Sequence, residues 1–553
     1  MISRRTLLGC LVPPLSQAAG SFRPLFQGGP SVHLGAPDAA GEQLSIVDSV
    51  TGDLALRHLP SGEITRITEN KARGEFAYFS TFARSGRQIA YAWFNEARFY
   101  ELRVADIAAR TSRVVHRNEE RRFVQPCAWM PGDREILTLF FRNDNVSQIA
   151  LVNAASGAVR VLKSLDWVYP NRMDCSPDGK WIVYDDLAKE GTPQRDLYLL
   201  SADGTSLRKL VEHDAHDVFP LFAPDGQSVL FLSDREGTMG LWRQPLNGGT
   251  AKRVAANLGR ALAMGISKNG NYFFARRTGS AEIWVGPPDA PRPLLARSPE
   301  DAAQPAWSAD GKQIAFLAKA GQENFGQDAR VIVLANVETG AHRVLSPRLV
   351  HMDRVTWHPA GTSLLVSGGD PHGQRGLYSV DIQNAETRPL VRERAAAYQG
   401  FAGVYSKDAS AVCFVRGLEL RTKEEVLYRG LGDLRHIAIS HDGNWLAFCE
   451  QAEATTLVKV IRTTSGEARQ VASVRQSEVS GLDWMADSTA LIASVPSDPP
   501  SVWRIPVRDG KPERLAWNLN QRGPVRWHPN GKWIAYSTGQ ARTEVCVLEK
   551  AAV

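Results

Sequence analysis

The residues whose types and spacing come closest to a chemical site form a short polar cluster, His213-Asp214-Ala215-His216-Asp217. Two imidazoles three residues apart beside carboxylates can ligate a metal such as zinc. The cluster also lies between two apolar segments and shortly precedes Pro220 and Phe222, as a polar loop that leads into a strand would. The second interpretation is the stronger one, and we predict no metal at these residues.

Six cysteines are present, and no two of them form a Cys-x-x-Cys pair. Several lie inside apolar, strand-like runs, as in Ala411-Val412-Cys413-Phe414-Val415. Such positions are typical of cysteine used as a small hydrophobic residue. The sequence therefore predicts neither a disulfide framework nor a zinc site.

Signatures of catalysis are missing from the sequence. It contains no Gly-x-Ser-x-Gly nucleophile elbow and no His-Glu-x-x-His metalloprotease motif. It also contains no phosphate-binding Gly-Lys-Ser/Thr loop and no Gly-x-Gly-x-x-Gly after a strand. We therefore predict no catalytic residue, no cofactor and no enzyme activity.

The first twenty residues predict export. Ser3-Arg4-Arg5-Thr6-Leu7-Leu8 resembles a twin-arginine signal, and Ser16-Gln17-Ala18 offers small residues for a cleavage site. We assign residues 1–20 to an export signal with Arg4 and Arg5 at its core, and expect a periplasmic or secreted protein. Two alternatives stay open: an N-terminus that holds two arginines by chance, and a lipid anchor at Cys10. No segment is apolar for the roughly twenty residues that span a bilayer.

Length and charge favour a large folded protein without a nucleic-acid surface. The chain has 553 residues, of which 43% are hydrophobic and 22% charged, and its net charge is +6. This composition is ordinary for a globular protein, and this length favours more than one domain. The basic residues are scattered along the chain, which is typical of solvated surface charge.

A repeat runs along nearly the whole chain. A large apolar residue, the anchor, stands two positions before Pro-Asp-Gly or a variant of it. Neighbouring anchors are mostly about 41 to 50 residues apart, the period of a propeller blade, although one step is only 34. A weaker copy at Gly35-Ala36-Pro37-Asp38 brings the number of units to twelve. The other eleven anchors are Phe82, Trp129, Cys175, Phe222, Ile266, Trp307, Trp357, Tyr405, Ile439, Trp484 and Trp527.

Each unit has the same internal order. A short apolar strand ends at the anchor, and a tight turn follows, in which Pro fixes φ, Asp bonds its own backbone and Gly accepts a positive φ. Three further strands follow, as in Trp181–Tyr184, Asp196–Leu200 and Leu207–Val211. Four antiparallel strands per period form a propeller blade. Because the anchors are expected to be structural, we predict that Trp307, Trp357 and Trp527 lie buried between adjacent blades.

Twelve blades exceed the usual four to eight of a single ring. We therefore predict an all-β fold of tandem β-propellers with four-stranded antiparallel blades. Six plus six blades is the favoured division, and seven plus five stays open. An even division assigns residues 21–298 to the first propeller and residues 299–553 to the second.

The Pro-Asp-Gly turn, strands such as Ile314-Ala315-Phe316 and the Ser233–Gly237 loop before Leu241-Trp242 resemble the TolB-like, WD-type propeller repeat. The resemblance covers nearly the whole chain after about residue 31 and implies a propeller protein without catalysis. Such repeats occur in periplasmic scaffolds, in bacterial signalling proteins and as gating domains of enzymes. This sequence departs from TolB, which has one propeller and an added α/β domain, so no binding residue carries over.

Two functions from different classes stay open. The first is a binding or scaffold protein that engages a protein or peptide partner through a propeller face or the central channel. The alternative is an enzyme that acts on a saccharide or small ester with residues from several blades. Convergent carboxylates and histidines at the channel mouth would favour the enzyme, and a mixed surface with exposed aromatic residues would favour a partner. Partner identity and oligomeric state are not predicted.

The last repeat contains three strand-like runs, Pro524–Trp527, Lys532–Tyr536 and Thr543–Leu548, and no fourth run follows in this sequence. An open third strand would leave unpaired backbone groups, which proteins usually cover. Residues 22–27 resemble a fourth strand, and Pro24 restricts them to a sheet edge. We predict that they pair with the strand around residues 544–548, or fill the same position in the last blade of the first ring.

Overall fold

The computed structural model describes residues 22–28, 32–48, 51–70, 75–95, 100–117, 121–142, 146–165, 169–188, 194–296, 301–319, 330–349, 351–370, 374–393, 401–452, 455–464, 466–475, 479–496, 499–539 and 542–552. Within these ranges the regular elements are β-strands and one short 3-10 helix, Val32–Leu34. The prediction of an all-β fold is confirmed for the part of the chain that is described.

The strands before residue 279 build the first ring. After an N-terminal strand they follow in groups, each starting with the strand that lies against the central channel. In chain order they are β1 (Arg23–Gly28), β2 (Gln43–Val47), β3 (Leu54–His58), β4 (Ile64–Arg66), β5 (Phe76–Phe82), β6 (Gln88–Phe94), β7 (Tyr100–Asp106), β8 (Thr111–His116), β9 (Arg121–Trp129), β10 (Glu135–Arg142), β11 (Ser147–Asn153), β12 (Val159–Leu165), β13 (Met173–Cys175), β14 (Trp181–Leu187), β15 (Arg195–Ser201), β16 (Leu207–Val211), β17 (Asp217–Phe222), β18 (Ser228–Ser233), β19 (Gly240–Pro245), β20 (Lys252–Ala255), β21 (Arg260–Ile266) and β22 (Tyr272–Thr278).

The following strands build the second ring in the same manner, and a last strand returns to the first ring. They are β23 (Glu282–Gly286), β24 (Arg292–Pro293), β25 (Ala303–Trp307), β26 (Gln313–Lys319), β27 (Arg330–Asn336), β28 (His342–Leu345), β29 (His351–Trp357), β30 (Ser363–Gly369), β31 (Arg375–Asp381), β32 (Thr387–Glu393), β33 (Ala402–Tyr405), β34 (Val412–Arg416), β35 (Glu419–Arg421), β36 (Val426–Arg429), β37 (Leu434–Ile439), β38 (Trp445–Ala452), β39 (Thr455–Arg462), β40 (Arg469–Arg475), β41 (Gly481–Trp484), β42 (Ala490–Val495), β43 (Ser501–Pro506), β44 (Glu513–Arg514), β45 (Arg526–Trp527), β46 (Ile534–Thr538) and β47 (Arg542–Leu548).

The described strands form twelve sheets, which we number as blades 1 to 12. Blades 1 to 5 are β2–β4, β5–β8, β9–β12, β13–β16 and β17–β20, and blades 7 to 11 are β25–β28, β29–β32, β33–β36, β37–β40 and β41–β44. Blade 6 contains β21, β22, β47 and β1, and blade 12 contains β45, β46, β23 and β24. Consecutive blades contact one another in two closed circuits, blades 1 to 6 and blades 7 to 12, and the 3-10 helix Val32–Leu34 lies between blades 6 and 1. Six plus six is therefore the observed division.

Blades 6 and 12 exchange strands between the two rings. The chain leaves blade 6 after β22, builds the whole second ring and returns with β47, which pairs with β22 from Tyr272↔Leu548 to Thr278↔Arg542. In blade 12, β23 pairs with β46 in the same antiparallel manner. The expectation that residues 524–548 supply three consecutive strands of one blade is therefore wrong. The third of them, β47, lies in the first ring, because β23 already occupies its position beside β46.

The N-terminal strand closes blade 6. Arg23 pairs with Val547 and Gln27 with Glu544, with a bulge after Pro24. Pro24 lies on the outermost strand, where a residue without a backbone N–H is tolerated because one side of the strand has no neighbour in the sheet. The prediction that residues 22–27 pair with the strand around residues 544–548 is confirmed, and this pairing also fills the vacancy in the last blade of the first ring.

The division at residue 298 describes most of each ring but not the exchanged strands. Strands β23 and β24 precede that residue and pair in the second ring, whereas β47 follows it and pairs in the first. The ranges 21–298 and 299–553 stay a proposal for the bulk of the two propellers. The short anchor step of 34 residues corresponds to blade 9, whose strands contain only three to five residues.

The Pro-Asp-Gly turn is held by side chains that recur in several blades. In blade 4 the hydroxyl of Ser176 donates to Asp178 (2.6 Å), and the same carboxylate oxygen accepts from the backbone N–H of Lys180 (3.1 Å). Gly179 has a φ of +74°, which a residue with a Cβ rarely adopts. The Ser-x-Asp-Gly sequence therefore fixes the turn locally, before any contact between blades.

The anchor tryptophans connect neighbouring blades. In four of the five anchor tryptophans the indole N–H donates to the carbonyl of the residue just before the anchor of the preceding blade: Trp129 to Thr81 (3.1 Å), Trp307 to Arg526 (3.2 Å), Trp357 to Ala306 (3.0 Å) and Trp484 to Ala438 (3.2 Å).

The burial of the anchors differs from the expectation. Trp129, Phe222 and Trp484 are buried. Phe82, Trp307, Trp357 and Trp527 are half-buried. The prediction that Trp307, Trp357 and Trp527 lie buried between blades is therefore wrong, because the inner strands of the second ring end at an open cavity.

Candidate functional site in the channel of the second ring

The cavity at the anchor end of the second channel, which we call the second funnel, has a volume of about 530 Å³. Six blades contribute to its wall, since the inner strands and their turns converge there. The lining residues of aromatic, proline or charged type include Trp307, Trp357, Pro359, Tyr405, Lys407, Asp483, Arg526, Trp527 and Pro529.

The histidines of this region belong to the turns. His528 packs edge-on against Trp307, with ring centroids 4.4 Å apart, and its Nδ1 accepts from the N–H of Asn530 (2.8 Å). His358 packs in the same way against Tyr405 of the next blade, with centroids 4.7 Å apart. These imidazoles hold turns and adjacent rings, which leaves an aromatic wall above the channel.

Two arginines lie on the channel below the second funnel. The Nη1 of Arg354 donates to the carbonyl of Ile437 (3.3 Å), and the Nη1 of Arg526 donates to the carbonyl of Leu482 (2.8 Å). Ile437 and Leu482 each stand two residues before an anchor, in the adjacent blades 10 and 11. The two guanidinium groups therefore lie at the same level of the channel, over neighbouring blades.

Both arginines are buried, with 7% of Arg354 and 8% of Arg526 exposed. Among the described residues neither guanidinium lies within 4.0 Å of a carboxylate oxygen. Each makes one side-chain hydrogen bond, while a guanidinium carries five N–H donors. Among the described residues, none of their remaining nitrogens is both sealed in protein and without an acceptor. Arg526 lines the second funnel, and Arg354 lines a cavity of about 340 Å³ together with His436.

The electrostatics of the channel are positive. Burial and the positive charge of Arg526 lower the pKa of Arg354 to about 9, against the attraction of Asp483. Burial, followed by the charges of Arg354 and Arg526, lowers the pKa of His436 to about 3. His436 is therefore neutral at physiological pH, and Asp483 is the carboxylate that offsets the two cations.

Asp483 has a structural partner as well. Its Oδ2 accepts from the backbone N–H of the anchor Trp527 in the next blade (2.7 Å). In the first ring, Asp174 accepts from the N–H of Phe222 at the equivalent position (2.8 Å). An aspartate one residue before an anchor thus fixes the next blade in both rings.

The first ring contains an equivalent of Arg354 but not of Arg526. Arg172 also stands three residues before an anchor, and it donates across the channel to the carbonyls of Ala263 (3.3 Å) and Met264 (2.6 Å). The position that corresponds to Arg526 in blade 6 is Gly265. In the first channel the charges of Arg84 and Arg172 both act on Asp174, and in the second channel those of Arg354 and Arg526 meet the charge of Asp483.

The first channel also opens into a cavity, of about 490 Å³, and Arg84 lies on its wall. The guanidinium of Arg84 donates to the carbonyls of Trp129 (3.1 Å), Cys175 (3.3 Å) and Ser176 (3.2 Å). It connects blades 2, 3 and 4, so its donors serve the fold.

The polar cluster at residues 213–217 has a structural role in blade 5. Asp217 is buried and pairs with Arg235 of the Ser233–Gly237 loop (2.7 Å), whose guanidinium also lies over the ring of Trp242. The Nδ1 of His213 accepts from the N–H of Ala215 (3.0 Å). Within the described ranges, no group of three or more His, Cys, Asp or Glu side chains is arranged to hold a metal ion.

Sequence reasoning missed Arg354, Arg526 and Asp483. A signal was available, because each is a charged residue inside an apolar inner strand, one or three positions before an anchor. The predicted anchors Trp307, Trp357 and Trp527 do come together at this site, whereas Phe82, Trp129 and Phe222 lie in the first ring. Arg4, Arg5 and Cys10 lie outside the described residues.

Part of the chain matches a known family of propeller repeats. Residues 74–292 match the family model of the TolB β-propeller domain. The Tol-Pal system protein TolB of Bordetella pertussis is 28% identical over 197 residues, which cover 35% of this chain and 42% of that protein. The chain therefore contains TolB-like β-propeller repeats, matched over residues 74–292. It spans about two fifths of the length of the curated relatives it matches.

Solved structures similar to the TolB-like chain include propellers of several kinds. The tricorn protease has a TM-score of 0.31 at 11% identity and covers 93% of this chain and 62% of its own. TolB from Acinetobacter baumannii has a TM-score of 0.27 at 16% identity, with 64% and 80% covered. Oligogalacturonate lyase from Vibrio parahaemolyticus has a TM-score of 0.34 at 11% identity, with 64% and 89% covered. Likenesses of this size support no statement about activity.

Proposed function

We propose that this TolB-like protein is an exported scaffold that binds a protein or peptide partner through the second funnel. The observation that carries the proposal is the half-exposed aromatic wall of that cavity, formed by Trp307, Trp357 and Trp527 above a positively charged floor. Tryptophan and arginine are enriched where proteins bind partners, because they supply large contact areas and directed donors.

The composition of the wall favours binding over catalysis. Asp483 is the one carboxylate among the described lining residues, and it already accepts from the N–H of Trp527. The hydroxyl of Ser308 donates to Asp310 (2.6 Å) and accepts from the N–H of Gln313 (3.0 Å). A saccharide-cleaving site needs several free acid, base and hydroxyl-binding groups, and these side chains are engaged in holding turns.

Photo-crosslinking in the native host tests the proposal. A photoreactive phenylalanine derivative replaces Ala309, an exposed turn residue on the rim of the second funnel. The matched control replaces Val344, which is 53% exposed on the outer strand of blade 7. We expect one discrete adduct from position 309 and none from 344. Adducts from neither position, or equally from both, would contradict partner binding at the funnel.

Export is a separate part of the proposal. It is supported by the Arg4-Arg5 motif and by the resemblance to periplasmic propeller proteins. Among the described residues, no helix is long and apolar enough to cross a bilayer. Replacing Arg4 and Arg5 by Lys should leave the precursor in the cytoplasm, measured by cell fractionation. Normal export of this variant would refute a twin-arginine signal, and fatty-acid labelling that requires Cys10 would indicate a lipid anchor instead.

A further inference from the structure

We propose that the channel of the second ring binds a carboxylate of an extended peptide between the guanidinium groups of Arg354 and Arg526. This inference rests on the proposed function, since the peptide enters through the second funnel. It concerns a part of the chain that lies beyond residues 74–292, the range that matches the TolB β-propeller model.

The geometry points to one anion-binding level. Arg354 and Arg526 donate to carbonyls at equivalent positions of blades 10 and 11, so their guanidinium groups are neighbours at one height. Both side chains are more than nine-tenths buried, and their charges act on each other and on His436, which places the two groups near one another. Arg526 lines the second funnel, and Arg354 lines the cavity that also contains His436. Two guanidinium groups near one another supply several N–H donors, and charge-assisted hydrogen bonds from such donors hold a carboxylate well.

The charge balance supports the same ligand. Two buried arginines face one aspartate in this channel, and the oxygen Oδ2 of Asp483 is already bound to the N–H of Trp527. Buried charges are normally paired, because removing them from water is costly. The first ring serves as an internal comparison, since there Arg84 donates to three backbone carbonyls and Arg172 to two, whereas Arg354 and Arg526 each donate to one among the described residues. An anion supplies acceptors that the two arginines of the second channel lack.

The funnel above the arginines favours a peptide as the source of the carboxylate. Its wall offers indole rings, Tyr405 and the prolines Pro359 and Pro529, which suit apolar side chains and extended backbone. The hydroxyl of Ser440, like that of Ser308, is used within its turn, where it donates to Asp442 and accepts from the N–H of Trp445. Among the described lining residues, the hydroxyl of Thr356 and the indole N–H of Trp527 have no partner, which is few for an acidic saccharide with its many hydroxyls.

The probe is a random heptapeptide library displayed with free carboxyl termini and selected on the purified full-length protein. Selected peptides are then synthesised in three forms: with a free terminus, as the terminal amide, and with Asn or Gln in place of Asp or Glu. Affinities are measured by fluorescence anisotropy. We expect at least a ten-fold loss when the carboxylate that enters the channel is neutralised, because charge-assisted hydrogen bonds are the strong ones. The form that loses affinity identifies a terminal or a side-chain carboxylate.

Variants locate the site on the protein. Arg354→Gln and Arg526→Gln should each weaken the free-carboxylate peptide at least ten-fold and leave the neutral form unchanged. Ala309→Trp, at an exposed turn, should block entry into the funnel, and Arg172→Gln in the first ring is the matched control that should not alter binding. Thermal unfolding confirms that each variant folds, and the three peptide forms test the inference on the wild-type protein alone.

The outcomes separate the inference from the proposed function. If peptides bind and Ala309→Trp blocks them, but neutral forms bind equally, the carboxylate inference is refuted and the proposed function stands. If no peptide is selected, or if trigalacturonate binds and depends on Arg354 and Arg526 while peptides do not, both are refuted.

Discussion

The exchange of strands between the rings predicts that a substitution near the C-terminus destabilises the N-terminal half of the protein. Leu548 is the last residue of β47, is 3% exposed and packs in the core shared by blades 5 and 6. It pairs with Tyr272, which precedes it by about half the length of the chain. The substitution Leu548→Ala leaves a cavity in the first ring.

The expected cost is about 3 kcal/mol, the order found when a buried leucine is truncated and the surroundings relax only in part. A free-energy change of about 1.4 kcal/mol alters an equilibrium constant ten-fold. The fraction of molecules in which the first ring is open should therefore rise roughly 100-fold. Amide hydrogens that exchange through this opening should exchange faster by the same factor.

Hydrogen exchange followed by mass spectrometry measures this effect segment by segment. Peptides from residues 217–278 should lose protection in Leu548→Ala, while peptides from residues 303–506 should keep it. Leu491→Ala is the matched control, since Leu491 is fully buried in β42 of the second ring. It should produce the opposite pattern.

Loss of protection in residues 303–506 upon Leu548→Ala would refute the reasoning. That result would place β47 in the second ring, as a repeat with three consecutive strands requires. Equal loss throughout the chain in both variants would show instead that the two rings open as one unit.

The remaining predictions concern single elements. Deleting residues 22–28 should lower the melting temperature, because it uncovers the edge of β47, and an unchanged value would contradict the role of this strand. Trp484→Ala should cost about 3 to 5 kcal/mol in urea unfolding, and Trp357→Ala less, because only Trp484 is fully buried. Below about pH 6.5 His436 is protonated in the unfolded state, whereas in the folded state, where its pKa is about 3, it stays neutral. The free energy of unfolding should therefore fall by up to about 1.4 kcal/mol per pH unit towards acid pH. The substitution His436→Gln should flatten this dependence. Burial raises the pKa of the Cys449 thiol to about 12, so this thiol should react with a disulfide reagent at pH 8 only after unfolding, and fast reaction in the native protein would contradict its burial.

Much of the fold follows from local patterns in the sequence. The Ser-x-Asp-Gly turn at residues 176–179 closes through bonds between near neighbours, so its residues predict it wherever they occur. The number of blades follows from counting these turns. Even the pairing of residues 22–27 was predictable, because an open strand edge requires a partner and Pro24 fits only an edge.

The candidate site was not predictable in the same way. Arg354 and Arg526 are separated by many residues and belong to no motif, and each alone is consistent with a surface charge. Their role depends on the position along the channel axis at which each side chain donates to the carbonyl of another blade. That height is set by the closure of the ring, which no local pattern encodes.

The sequence by itself determined the repeat, the turn chemistry, the twelve blades and the need for a closing strand. These are short-range consequences of residue type and spacing. Only the tertiary structure decided that β47 and β23 change places between the rings, since two apolar third strands with the same pattern can satisfy the same edge. It also decided that Trp307, Trp357 and Trp527 line one cavity with Arg526, and that Arg354 and Arg526 have no carboxylate oxygen within 4.0 Å among the described residues, because exposure and charge balance arise only when six blades surround one channel.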